Sequence, residues 1–203
     1  MGKLLENKQQ KLEHLLESAY KLFLTKGIEK TSVSDIVKGA GVAKGTFYLY
    51  FKDKYEIRDG LISHTSGKLF TDALVSLSTQ DIPLFEERII FIVDHILDAL
   101  SHNHSLLKFI SKNLSWGIFK QALTSHSNES DVHFLDIYHK MLADNQEYRL
   151  KDPEIMLFMI VELASSTCHS TILYQDPIRF LELKPYLNEC IRFIIHQHAD
   201  TQS

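Results

Sequence analysis

Apolar positions recur with a helical period along almost the whole chain. Leu12, Leu15, Leu16, Ala19, Leu22 and Phe23 fall on one face of an α-helix, and Gly27 stands where a residue of positive φ ends such a helix. A short second pattern follows in Val33, Ile36, Val37 and Ala40. Ser32 is placed to cap it, with Asp35 three residues on as an acidic form of the capping box, and Gly39-Ala40-Gly41 breaks it. A third short segment runs from Ala43 to Phe51. The spacing then predicts longer helices over 54–77, 83–100, 104–110, 131–145, 153–174 and 185–198, with a break at Asp176-Pro177. The stretch 112–128 is ambiguous and fits one short helix from Trp116 to Leu123. No segment alternates as a strand does, so the fold class expected is all-α.

Composition agrees with that class. Eight Gly and four Pro in 203 residues are too few for a turn-rich β fold, and 44% hydrophobic with 24% charged residues excludes wholesale disorder. Charge adds an asymmetry. The net charge of -4 divides into +3 over residues 1–60 and -7 over residues 61–203. A basic end on an acidic body points to one segment that meets a polyanion and a remainder with another task. Cys168 and Cys190 are not a CxxC pair and read as reduced, buried thiols of a cytoplasmic protein. The first residues lack the pattern of a secretory signal, and the longest uninterrupted apolar run, Ile155 to Val161, is far short of a bilayer span, so no membrane partner is expected.

Two short helices joined by a Gly-containing turn form the pattern of a helix-turn-helix. The second is too short to hold itself together in water. Val42, Phe47 and Phe51 are expected to clamp it onto Val33, Ile36, Val37 and the first helix. Its other face then carries Lys44, Thr46, Tyr48, Tyr50 and Lys52, with no acid before Asp53. Donors and flat rings on one face suit a phosphate backbone and major-groove base edges.

The run Gly41-Val42-x-x-Gly45-Thr46-Phe47-Tyr48-x-Tyr50-Phe51-x-x-Lys54, with the helix pattern from Leu12 upstream, closely resembles the DNA-binding domain of the TetR family of transcriptional regulators. The resemblance implies a helix-turn-helix DNA-binding domain over residues 1–53 and a helical effector-binding and dimerisation domain over residues 54–203. It also implies site roles. Ser32 and Ser34 match positions that touch phosphates or base edges. Lys44, Gly45 and Tyr48 match base-reading positions, and Thr46, Tyr50 and Lys54 match phosphate-holding ones. Ala43 departs from the pattern, because Ser is common there as the cap of the recognition helix.

One recognition helix covers one half-site, so a palindromic double-stranded operator calls for a homodimer. Segment 153–174 is apolar around its whole circumference and must be covered on two sides. Together with 185–198 it is the expected dimer element, and Ala164, Ser165, Ser166 and Thr167 would let helices approach closely. Polar or amphipathic groups among apolar neighbours mark a candidate small-molecule site at His95, Trp116, Tyr138 and Glu162, each of which also fits a core or interface role. The eleven histidines show no i, i+4 pair of the kind that binds metal, and no nucleophile motif, P-loop or dinucleotide glycine pattern is present. No metal, cofactor or enzymatic activity is therefore expected. The reading is a cytoplasmic repressor released from DNA by a small-molecule effector. An activator or protein-regulated member, and a helical enzyme or carrier with a vestigial helix-turn-helix, are the alternatives. The intact basic and tyrosine-rich face from Lys44 to Lys54 argues against the last.

Overall fold

The computed structural model describes residues 2–111, 134–145 and 149–200. Its helices are α1 (Gly2–Lys26), α2 (Val33–Ala40), α3 (Lys44–Tyr48), α4 (Lys54–Ser78), α5 (Phe85–Ser101), α6 (His104–Ser111), α7 (Phe134–Asp144), α8 (Pro153–Tyr174) and α9 (Phe180–His198). A two-residue antiparallel pairing of β1 (Arg149–Leu150) with β2 (Ala199–Asp200) is the extended structure among the described residues. So short a pairing leaves no alternation in the sequence, and the class is all-α, as expected. The chain divides into two compact units, residues 1–65 and 66–203.

In the first unit, α1 packs on α2 and α2 on α3. Leu15, Ala19 and Phe23 of α1 are buried, as are Ile36, Val37 and Ala40 of α2, Phe47 of α3, and Ile57, Leu61 and Ile62 of α4. Ser32 caps α2 by accepting from the Asp35 amide at 3.1 Å, while the Asp35 carboxylate accepts from the Ser32 amide at 3.0 Å. Gly27 (φ 81°) ends α1 and Gly41 (φ 67°) ends α2, both in the left-handed region that favours glycine. Helix α1 begins some ten residues ahead of its apolar stripe. Residues 6–11 are all polar and so leave no periodic signal, but all except Asn7 are Glu, Gln or Lys, good helix formers.

In the second unit α8 packs against α5, α6 and α9, and α5 also meets α6 and α9. Helix α8 is long and apolar enough to cross a bilayer by length and composition, yet Met156, Leu157, Ile160, Ala164, Cys168 and Ile172 are buried within the unit. Helix α9 starts five residues earlier than the sequence suggests, with Pro185 inside it. The amides of Glu182 and Leu183 both donate to the Arg179 carbonyl at 3.0 Å, so the first turn closes before the proline is reached. An ion-pair seam fastens α9 to α5, Lys184 to Asp98 at 3.0 Å and Asp94 at 3.5 Å and Arg192 to Glu87 at 2.9 Å, and a hydrogen bond joins His196 to Glu86 at 2.6 Å.

Phe47 is fully buried and is the main apolar anchor of α3. Phe47→Ala should destabilise the first unit by about 3–5 kcal/mol. A urea titration of the chain followed by circular dichroism checks this: unfolding of this unit at unchanged urea would exclude Phe47 as its anchor.

Candidate nucleic-acid interface

The recognition element is a single turn longer than nothing: α3 has five residues. Helical hydrogen bonding continues past its end, because the amides of Tyr50 and Phe51 both donate to the Phe47 carbonyl at 3.0 Å. Ala43 supplies no side-chain cap. Packing replaces it: Phe47 fills the core, its ring lies 5.6 Å from that of Phe51, and Val42 and Phe51 are half-buried beside it. This is the arrangement expected from the sequence.

The residues assigned to DNA divide into two groups. Ser34, Lys44, Gly45 and Tyr48 are exposed, and no neighbouring atom lies where a Cβ on Gly45 would stand, so the backbone is open to close approach. Tyr48 presents 53% of its surface. Thr46 is half-buried on the same turn. The second group is already engaged. The Ser32 hydroxyl donates to the Asp35 carboxylate at 2.8 Å. That bond and the one from the Ser32 backbone amide hold the Asp35 carboxyl below the usual carboxylate range. The Tyr50 hydroxyl donates to the Lys8 carbonyl at 2.9 Å. The Lys54 ammonium donates to the carbonyls of Ile28, Glu29 and Thr31 at 2.9, 3.2 and 3.2 Å. A phosphodiester oxygen only accepts, so a group whose protons are already given has little left for it. Lys54 therefore fixes the turn between α1 and α2, directly before the Ser32 cap. Periodicity assigns no role to Leu49, which is 80% exposed at the end of α3 and has the apolar tip that suits a thymine methyl.

The second unit contains a cavity of about 100 Å³. Leu69 and Phe70 of α4, Ile92 and Ile96 of α5, Leu107 of α6 and Ile160 of α8 line it, and the lining is almost entirely hydrocarbon. Three polar groups border it. Ser66 is 3% exposed and its hydroxyl has no hydrogen-bond partner among the described residues. Ser165 donates to the Glu162 carbonyl at 3.3 Å. Burial pushes the Cys168 thiol up to about 11, which keeps it neutral. Three of the four side chains picked from the sequence, His95, Tyr138 and Glu162, are not part of this wall. Tyr138 is buried, donates to the Pro153 carbonyl at 2.8 Å, and has its hydroxyl pKa raised by burial. His95 is half-buried with its ring 6.0 Å from Phe91, Glu162 is exposed, and Trp116 lies outside the described residues. Ala164, expected to admit a neighbouring helix, is buried in the cavity wall. Polarity among apolar residues was a poor guide here because the wall is apolar. Ser66 shares α4 with Ser63, Ser76 and Ser78, so nothing in the sequence sets it apart.

Three substitutions separate reading from scaffolding. Lys44→Ala or Tyr48→Ala should weaken binding to a duplex selected by the wild-type protein by about 1–3 kcal/mol while changing random-sequence binding less. Lys54→Met should instead lower the stability of the first unit by about 1.5–3 kcal/mol, through the loss of charged hydrogen bonds to three carbonyls. Binding isotherms at fixed salt and urea titrations measure the two effects, and unchanged isotherms for both Lys44→Ala and Tyr48→Ala would rule out base reading by this face.

Comparison with known proteins places these features. The family described as bacterial regulatory proteins, tetR family, matches residues 15–61. An uncharacterized HTH-type transcriptional regulator of Bacillus subtilis, YvdT, is 33% identical over 133 residues, covering 57% of this chain and 69% of that one. The HTH-type transcriptional repressor KstR2 of Mycobacterium tuberculosis is 31% identical over 91 residues, 45% of this chain and 44% of its own. The crystal structure of the transcriptional regulator FadR from Bacillus subtilis in complex with stearoyl-CoA superposes with a TM-score of 0.61 at 18% identity, covering 89% of this chain and 97% of that one, a likeness of fold. With the helix-turn-helix, its exposed basic face and the helical second unit, these matches establish that the chain belongs to the TetR family of DNA-binding transcriptional regulators.

Proposed function

We propose that the protein is a cytoplasmic homodimeric repressor that leaves a palindromic operator when an apolar small molecule fills the cavity of the second unit. In this reading residues 1–53 read DNA and residues 54–203 bind effector and partner, with the start of α4 up to Thr65 packed into the first unit. The observation that carries the reading is the cavity itself, nearly all hydrocarbon with one buried hydroxyl lacking a partner among the described residues. An apolar cavity favours apolar guests over water. A buried hydroxyl without a partner costs about 1–3 kcal/mol, so a guest with one polar group placed against Ser66 recovers it. The long acyl chain bound by the FadR relative is chemistry of this kind. Release requires that the effector prefer the non-binding state, and a 100-fold loss of affinity needs about 2.7 kcal/mol of preference.

The dimer reading is supported by the outer faces of two adjoining helices. Ile155, Phe158 and Met159 of α8 and Leu181, Tyr186 and Phe193 of α9 are exposed, Phe193 by 64%. Ile155, Met159 and Glu162 follow one another at helical spacing, so Glu162 belongs to this outer stripe and not to the cavity. An exposed apolar stripe on each of two packed helices is the composition of a partner-covered surface.

Dodecanoate, 1-dodecanol and stearoyl-CoA serve as effector probes. At least one should raise the melting temperature and release a selected duplex in an anisotropy titration. Filling the cavity with Ala164→Phe should abolish that response while DNA binding persists, and Ser66→Ala should weaken it by about 1 kcal/mol. Retention of the full response by Ala164→Phe would place the effector elsewhere. For assembly, sedimentation should give twice the chain mass of 23.4 kDa, and Met159→Arg with Phe193→Arg should give the monomer. A dimer that survives both charges would remove α8 and α9 from the interface.

A further inference from the structure

Residues 7–11 of α1 are helical without burying any side chain. They are all exposed, and the first fully buried side chain after them is Leu15. A solvent-facing helical extension contributes little stability of its own. This one is nevertheless fastened to the end of the recognition element, since the Tyr50 hydroxyl donates to the Lys8 carbonyl at 2.9 Å and the Lys8 ammonium lies 6.0 Å from the centre of the Tyr50 ring.

The direction of the side chains follows from helical spacing. Lys8, Lys11, Leu15 and Ala19 stand at i, i+3, i+7 and i+11, one stripe of α1. At Leu15 and Ala19 that stripe is buried in the first unit. At Lys11 and Lys8 it has run past the core and becomes cationic. Residues 2–11 hold three lysines against one glutamate, and neither Lys8 nor Lys11 has an ion-pair partner among the described residues. Glu13, the next acid, accepts from Gln9 at 3.1 Å.

The Tyr50 hydroxyl has given its proton to a carbonyl and has none for a phosphodiester oxygen. The ammonium beside it has three. We propose that Lys8, with Lys11 one turn further along the same stripe, contacts the DNA phosphate backbone beside the end of α3. The DNA interface is thereby extended from the helix-turn-helix onto the first helix, with Tyr50 as the residue that positions Lys8. Charge complementarity to a polyanion and continuity with the exposed face at Lys44 and Tyr48 single out DNA as the occupant. The inference rests on DNA binding by this chain but not on the effector or on repression.

The test uses the 203-residue chain, a duplex enriched by in vitro selection on the wild-type protein, and a random-sequence duplex of the same length. Affinities are measured by anisotropy from 50 to 200 mM KCl. Lys8→Gln and Lys11→Gln should weaken binding to both duplexes. Each lost contact should lower the slope of log affinity against log salt by about 0.9, so that the deficit relative to wild type shrinks about 3.5-fold per contact across that range. Lys8→Arg, which keeps the cation, should restore the wild-type slope, an outcome that helix stability alone would not produce. Wild-type affinity and slope in both glutamine variants would overturn the proposal, as would a loss in Lys8→Gln that Lys8→Arg fails to rescue. Lys44→Ala, weakened more on the selected duplex than on the random one, reports independently on base reading. Failure of the wild type to enrich any duplex would overturn DNA binding itself and this proposal with it.

Discussion

Everything this protein does to DNA depends on burying one phenylalanine. A five-residue helix with an alanine at its N-cap has neither the length nor the cap to persist in water. Phe47 is what holds it, fully buried while α3 packs on α2. The neighbouring positions can then be given to the groove. Lys44, Gly45 and Tyr48 stay exposed because α3 needs only its inner face for stability. Reading the helix and anchoring it are thus assigned to alternate sides of a single turn, and neither can change without regard to the other.

The first unit was largely legible in the sequence because its local signals agree with its packing. The Ser32–Asp35 capping box, the glycines at 27 and 41 and the stripe from Leu12 to Phe23 each appear where residue type and spacing place them. What the sequence could not reveal was how far the polar groups are already spoken for. Tyr50 and Lys54 look like free donors in a linear reading, and each gives its protons to a distant part of the unit. Such bonds join residues up to 42 positions apart, a separation that periodicity does not see.

The second unit was legible as helices but not as a site. Segment 153–174 was delimited correctly, and its all-round apolarity is divided between a buried side and an exposed stripe with Ile155 and Met159. The cavity is different. Its walls are the ordinary apolar positions of α4, α5, α6 and α8, indistinguishable by composition from a filled core. A void is a property of how side chains fail to meet, and no single residue encodes it. The ion-pair seam between α5 and α9 was likewise invisible, because its partners, such as Glu87 and Arg192, lie far apart in the chain.

The three carbonyls around Lys54 restrict what the position will accept more than its charge does. Ile28, Glu29 and Thr31 converge on one nitrogen from successive parts of a single turn. An ammonium is compact and points its three protons in three directions, which matches that convergence. A guanidinium is a flat fork whose donors lie in one plane and suit a carboxylate or a phosphate instead. Arginine would keep the charge and lose the fit. The turn ahead of α2 therefore discriminates between two cations by shape, a constraint set by backbone geometry at a position that a charge map would call interchangeable.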